Sequence, residues 1–375
     1  MEINSFELRQ VIDSRTKQTV EAEINGNYGK APSGASTGTH EAKCFVPEHL
    51  EDIQHNLEQR VEGRELTQEE FDEKLRYLDG TDDFSRIGAV SISASFAFKN
   101  AEGFDHSNKF PLPLSNIVGG GEHGGNTSIQ EFLVLPVNAD SFREAIETNT
   151  SIYQELKEEY SSKVKGINDE GALIMSLDDR KTLELLKKVA DKHEARIGLD
   201  IAASEFYKDG KYEMDSMNTK NNPMEHLEFV QSLIDDFNLV YVEDPFDQED
   251  FRMHAKLTSK NPDVLICGDD LFTTDKKRLQ KGIETASCNS LIVKPNQIGT
   301  VSDAKETVEL AKENDYIPVI SHRSGETCDS TISDLALEWE CPIIKAGIAD
   351  IRIAKLNKLI RLWDHSDSPQ MNDSY

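Results

Sequence analysis

From residue 132 onward, short apolar runs rich in β-branched residues alternate with longer stretches of helical periodicity. The runs are Phe132–Val137, Arg196–Ile201, Leu239–Val242, Val264–Cys267, Ser290–Val293, Ile317–Ile320 and Pro342–Ile344. Each is short enough to be a buried strand. Between them lie helical patterns such as Asp179–His193, with Leu183, Leu186 and Ala190 on one face, and Val301–Asn314, with Ala304, Val308 and Ala311. Helices of that length can carry the chain back across a sheet, so the repetition predicts a parallel sheet with crossover helices. The units recur roughly every 25 residues, which favours a closed (β/α) barrel over a small open sheet.

The first hundred residues read differently. Thr19–Ile24 alternates like a strand with one buried face, and the segment after Tyr28 enters the small-residue stretch Ala31-Pro-Ser-Gly-Ala-Ser-Thr-Gly38, expected to be a mobile loop. Polar helical patterns follow from Leu50, and Ile87–Phe98 places small and apolar residues at helical spacing. Phe110-Pro-Leu-Pro113 reads as a stiff junction, since each proline fixes its own φ and restricts its predecessor. We therefore expect an α/β chain with an α+β domain over residues 1–109 and a barrel over residues 110–375, ending in a frayed polar tail from His365.

Composition narrows the function classes. Hydrophobic residues make up 37% and charged residues 29%, with mean hydropathy -0.55, an ordinary globular balance. No apolar run approaches the length of a membrane span, and Met1–Arg15 carries charges throughout, so the cytoplasm is the expected location. The net charge of -28 repels nucleic acid and anionic lipid, which excludes both as expected partners. It would equally repel a phosphorylated ligand unless bound metal and a few bases made the site locally positive. The five cysteines are scattered, without a C-x-x-C pair, and are expected to be reduced.

The chemistry lies at the strand ends. Asp200, Glu243, Asp269, Lys294, His322 and Lys345 each follow an apolar run, at successive spacings of 43, 26, 25, 28 and 23 residues. In a barrel all six converge on the C-terminal mouth, where such barrels hold their sites. A single carboxylate in this position is ordinarily a helix cap or a solvated loop charge. Three in consecutive units, followed by two lysines and a histidine, form a pattern that capping does not explain. Three carboxylates without clustered Cys or His provide oxygen donors suited to Mg²⁺ or Mn²⁺. A lysine beside that metal is expected to have a lowered pKa and to serve as a general base. Metal plus lysine base is the apparatus for removing a proton next to a carboxylate.

These residues, with several motifs, resemble the enolase (phosphopyruvate hydratase) family over almost the whole chain. Ser33-Gly-Ala-Ser-Thr-Gly38 is similar to the family's active-site loop, whose serine, here Ser36, closes over a second metal ion. Gly120-Gly-Glu-His123 and Gln130-Glu131-Phe132 resemble the segments bearing an active-site histidine, His123, and glutamate, Glu131. Asn168-Asp-Glu170-Gly resembles the motif whose glutamate is the general acid, and Lys294-Pro-Asn-Gln-Ile-Gly299 the one that carries the base. Ser321-His-Arg-Ser-Gly-Glu-Thr327 resembles the signature that places His322, Arg323 and Ser324 at the substrate, with Lys345 completing the charge around its carboxylate. The planar fork of Arg323 suits a phosphate.

The resemblance implies an N-terminal α+β domain and an enolase-type (β/α)8 barrel. It also implies Asp200, Glu243 and Asp269 as ligands of one magnesium, two magnesium ions per site during catalysis, and a homodimer or higher oligomer. The implied reaction is dehydration of 2-phosphoglycerate to phosphoenolpyruvate: Lys294 takes the C2 proton, metal and Lys345 stabilise the enediolate, and Glu170 with Glu131 protonates the departing hydroxyl. Glu170 is then expected to have a raised pKa. The other histidines, His49 and His226 among them, read as surface residues.

Four segments depart from the family's pattern: Thr16-Lys-Gln18 after Asp13-Ser-Arg15, Ala172-Leu-Ile-Met175 after Glu170-Gly171, Pro295 after Lys294, and the shortened Gly347-Ile-Ala-Asp-Ile-Arg352. They keep two other readings open: a superfamily member using the same proton abstraction on a different hydroxy acid, and an inactive descendant kept as a binding or scaffold protein.

Overall fold

The computed structural model describes residues 1–34, 38–121 and 124–374. Near the N-terminus, strands Phe6–Ile12, Gln18–Ile24 and Asn27–Lys30 form an antiparallel meander. Its second turn is Asn25-Gly26, both at positive φ (50° and 79°), the two-residue connection whose twist matches paired strands. Val20, Ala22 and Ile24 bury one face of the middle strand. The other face is less open than alternation predicted, because Arg9 pairs with Glu21 and Glu23 and Lys30 pairs with Glu21.

Of helices Leu50–Val61, Gln68–Asp79 and Val90–Glu102, the first and third pack on this sheet and the second packs on those two helices. The second of them starts at a capping box in which Thr67 and Glu70 satisfy each other's backbone, and stops at Gly80 in the left-handed conformation. Phe71 and Phe98 stack with centroids 4.6 Å apart where the last two helices meet.

Eight strands then close a barrel in the order Leu112–Gly119, Glu131–Leu135, Arg196–Asp200, Tyr241–Glu243, Leu265–Gly268, Ser290–Val293, Ile317–Ser321 and Ile343–Lys345, the last pairing back with the first. The barrel agrees with the expected fold class, but one strand departs from the parallel expectation. Glu131–Leu135 runs antiparallel to both neighbours. No crossover helix stands between it and the strand before it, so the chain simply turns back. Strand Leu112–Gly119 was not expected at all. The proline-rich segment read as a junction is its beginning, with Pro113 opposite Ile344 in the parallel ladder.

The tail is also more ordered than expected. Gln370–Met371 pairs with Lys109–Phe110, and the Asn372 N–H donates to the Phe110 carbonyl at 2.8 Å. His226 is buried rather than at the surface, stacked 4.0 Å from the Tyr212 ring with Nε2 3.0 Å from the Pro245 carbonyl, and burial lowers its pKa to about 4. Its neighbours in sequence are helical and amphipathic, and it falls on the inward face. His49 is exposed, as expected. Among the described residues, no helix is long and apolar enough to cross a membrane.

The N-terminal helices dock on helix Val301–Glu313. The Ser302 N–H donates to Asp72 at 2.9 Å, the Val301 N–H donates to the Ser95 hydroxyl at 2.9 Å, and Arg76 pairs with Asp303. Asp72 has no cationic partner among its hydrogen bonds, and burial raises its pKa from 3.8 to about 6 despite the Ser302 N–H and the Gln68 amide. The native state therefore binds a proton that the unfolded chain has released, and stability falls as pH rises through that window. Asp72→Asn is expected to stabilise the protein by up to about 3 kcal/mol above about pH 7 and to lose that advantage near pH 4. Thermal melts of both proteins at the two pH values check this; equal melting temperatures throughout would contradict it.

Candidate active site

Alternation along the barrel strands sets which side chains meet at the mouth. Leu112, Leu114, Leu133, Leu135, Tyr241, Cys267, Ile292, Val319 and Ile343 pack together as the barrel's inner core. Because strand side chains alternate, one step of two residues toward the mouth from these rows carries the next inward position. That step gives Asn116, Glu131, Glu243, Asp269, Lys294, Ser321 and Lys345, and Gly198 gives Asp200 in the same way. Every strand thus exchanges an apolar inner residue, or glycine, for a polar one at its end.

Lys345 is the hub. Its Nζ lies 2.7 Å from Glu131 Oε2 and 2.9 Å from Asp200 Oδ2, and donates to Glu243 at 2.8 and 2.9 Å. All four groups are buried. Backbone register places the three carboxylates side by side, with Glu131 opposite Asp200 and Asp200 opposite Glu243. Burial raises the pKa of Asp200, against Lys345, and burial with the Asp200 charge raises that of Glu243 well above the usual carboxylate range.

Lys294 Nζ pairs with Asp269 Oδ2, whose other oxygen accepts from the Gln297 amide at 2.8 Å. Burial pulls the lysine down, but Asp269 and Glu243 outweigh it and hold Lys294 above its ordinary value. The physical reason is the adjacent carboxylate; the lowered value expected from sequence belongs to a lysine beside bound metal. Pro295 takes the first position of the short helix Pro295–Ile298, with Lys294 as its N-cap, so the missing N–H costs no hydrogen bond.

Glu170 sits in the turn between the antiparallel strands Val164–Ile167 and Leu173–Met175. The divergent residues after it form the second of these strands, and Val118 pairs with Leu173 to hold the hairpin on the barrel. Inside the turn, Asn168 Oδ1 accepts from the N–H groups of Glu170 and Ala172 at 3.0 and 2.8 Å. A Cβ on Gly119 would lie 2.1 Å from Asn168 Nδ2, so only glycine lets the hairpin seat so closely. The Arg352 guanidinium, from the shortened segment, donates to the Asp169 carbonyl at 3.3 Å.

Ligand-capable atoms of Glu131, Glu170 and His322 lie within 4.8 Å of one another. Burial raises the Glu131 pKa, Lys345 opposes this, and the neighbouring Glu170 charge and hydrogen bond add to it. Burial and the surrounding Arg352, Lys345 and Lys294 charges hold His322 neutral, far below its ordinary value. The Arg352 Nε–H donates to His322 Nδ1 at 3.1 Å, which leaves Nε2 as the protonated nitrogen of that neutral ring.

Arg323 Nη1 donates to Glu41 Oε2 at 2.8 Å and Nη2 to Glu41 Oε1 at 3.2 Å, a fork on a carboxylate with both residues buried. Ser324 lines the same pocket. Ser36 and His123 fall outside the described residues.

Sequence reading passed over Glu41, Asn116, Asp244, Asp270 and Arg352. Asp244, at φ 40°, accepts the N–H groups of Asp269 and Asp270 at 2.9 and 2.7 Å and so fixes the backbone that carries Asp269. Its position beside Glu243 was the only signal in the sequence.

The donor set fits a hard divalent cation. Among the described residues, eight carboxyls (Glu41, Glu131, Glu170, Asp200, Glu243, Asp244, Asp269 and Asp270) gather around three cationic side chains (Lys294, Arg323 and Lys345). Crowding and burial raise Asp244 and Asp270 well above the usual range, the signature of uncompensated negative charge. Among the described residues, carboxylate oxygens of Asp244, Asp269 and Asp270 lie within 4.8 Å of one another, whereas Asp200 and Glu243 are drawn onto Lys345. All the donors are oxygens, the chemistry of Mg²⁺.

Comparison with known proteins is consistent across the chain. Residues 3–112 match the family model described as "Enolase, N-terminal domain", and residues 107–371 match "Enolase, C-terminal TIM barrel domain". An enolase from Natronomonas pharaonis is 42% identical, covering 96% of this chain and 98% of the relative. One from Methanosphaera stadtmanae is 41% identical over 99% of both chains, and one from Archaeoglobus fulgidus is 39% identical over 99% of both.

Proposed function

The chain belongs to the enolase family of phosphopyruvate hydratases, and on that premise we propose that it converts 2-phosphoglycerate to phosphoenolpyruvate and water in a magnesium-dependent reaction. One observation carries the reading: a single buried pocket holds a strand-end lysine, Lys294, and two adjacent carboxyls, Glu131 and Glu170, whose oxygens lie within 4.8 Å of one another. A base for carbon and an acid for oxygen are the two groups that elimination of water needs.

In this reading Arg323 and Ser324 take the phosphate. Glu41 already occupies the Arg323 fork, so the phosphate displaces that carboxylate or shares the guanidinium with it. Lys345 lies beside the substrate carboxylate. Lys294 takes the C2 proton, the electrons of that bond form the C2–C3 double bond, and the C3–O bond breaks. Glu170, with Glu131, delivers a proton to the departing hydroxyl, which leaves as water. Neutral His322 offers its Nε2–H to the same wall of the pocket. Asp200, Glu243 and Asp269 would hold magnesium, which supplies positive charge where the substrate carboxylate gains electron density. A second magnesium at Ser36, a role for His123, the division of the chain between residues 109 and 110, a cytoplasmic location and a dimeric or higher assembly belong to the same proposal.

The test is formation of phosphoenolpyruvate from 2-phosphoglycerate, followed by absorbance, with Mg²⁺ and with EDTA. Turnover with the metal and none without it supports the reading. A folded, metal-loaded protein that leaves 2-phosphoglycerate untouched would overturn it and direct attention to other hydroxy acids.

A further inference from the structure

Asn116 is the one uncharged amide among the strand-end residues that ring the mouth. It continues the inward row of Leu112 and Leu114, is 1% exposed, and lies just before an irregularity in the ladder, where pairing with Glu131–Leu135 shifts between Asn116 and Val118. Bulges of this kind re-aim side chains beside active sites. Its Nδ2 donates to Glu131 Oε1 at 2.9 Å and to Glu170 Oε2 at 3.1 Å. Both amide hydrogens are therefore used, one on each carboxyl. Oδ1 is buried without a hydrogen-bond partner among the described residues. Turning the amide over would aim that acceptor at two carboxyl oxygens, so the donor orientation is the one chemistry permits, and the idle Oδ1 is its cost.

We propose that Asn116 is a positioning residue for the dehydration step, holding the Glu131 and Glu170 carboxyls together as one acid. The two carboxyls come from different elements, a barrel strand and a hairpin turn, and the Asn116 amide is hydrogen-bonded to both. An amide with its two hydrogens in one plane bridges both oxygens while carrying no charge and no proton that titrates near neutral pH. Lysine in this place would hold the pair ionised, and a hydroxyl could donate to only one of them. The inference rests on the proposed dehydration reading and adds a role to a residue on a strand that sequence periodicity did not reveal.

The reaction has two separable halves, and Asn116 touches one. In D₂O, exchange of the C2 hydrogen of 2-phosphoglycerate reports proton removal by Lys294, whereas phosphoenolpyruvate formation also needs the acid. Asn116→Ala is expected to lower kcat for dehydration about 10- to 100-fold, the scale of a lost hydrogen bond to a charged group, with KM within about threefold and C2 exchange near the parent rate. Asn116→Asp, the isosteric variant, guards against a packing effect. As a neutral acid it can donate to one partner, so its activity relative to the parent should recover as pH falls. Equal loss of exchange and dehydration in Asn116→Ala, or parent-like dehydration in both variants, would overturn the inference. If the parent protein itself neither exchanges nor dehydrates 2-phosphoglycerate, the functional reading fails instead, and the two failures are distinct.

Discussion

In Lys294→Ala, turnover of 2-phosphoglycerate is expected to fall by about 10³- to 10⁴-fold, the upper range for loss of a positioned general base. The side chain leaves the end of strand Ser290–Val293 and enters the pocket beside Asp269, with Pro295 starting a helical turn directly behind it. Other basic side chains in the pocket are committed: Lys345 to three carboxylates and Arg323 to Glu41. Neither can take over proton removal at C2. Exchange of the C2 hydrogen with solvent should vanish together with product formation, unlike the split expected for Asn116→Ala. The fold should survive, because Gln297 still donates to Asp269 and the proline-started turn does not depend on the lysine side chain. Turnover within a factor of about ten of the parent, measured on folded protein, would rule Lys294 out as the base.

Lys345→Met should act on the fold itself. Removing one partner of a buried ion pair typically costs about 3–5 kcal/mol, because the remaining charge is left unmatched, and here three carboxylates share the one ammonium. The sign of the pH dependence follows from the raised values of Glu131, Asp200 and Glu243. These groups bind protons in the native state that the unfolded chain releases near pH 4, so the native state loses stability as pH rises above that value. Without Lys345 the effect is steeper. The deficit relative to the parent should therefore be largest near neutral pH and shrink toward about pH 5, and denaturant melts in EDTA at both values measure it. A neutral-pH deficit below about 1 kcal/mol would mean that the carboxylates protonate or rearrange without needing the lysine.

Much of the site was legible because period-two alternation and short strands leave little choice at a barrel mouth. Asp200, Glu243, Asp269, Lys294 and Lys345 each end an apolar run, and the structure brings all five to one place. Asn116 was not legible for a related reason. Its strand has Pro113 as its second residue and Gly119 as its last, signals that ordinarily mark a turn, and pairing with Ile343–Lys345 overrides them. Glu41 gave no signal either, since its partner Arg323 is 282 residues away. In the divergent segment, Asn168 accepts from the N–H groups of Glu170 and Ala172 and seats against Gly119, contacts that local periodicity does not show.

The sequence by itself determined the barrel class, the row of strand-end groups and their family, since these follow from local periodicity and from motifs that are contiguous in the chain. Tertiary structure alone decided the antiparallel second strand, the burial of His226, the pairing of Lys294 with Asp269, and the hydrogen bonds of Asn116 to both Glu131 and Glu170. Each of these depends on which distant group lies within a few ångströms, and in a low-dielectric interior that proximity, rather than residue type, sets orientation and protonation.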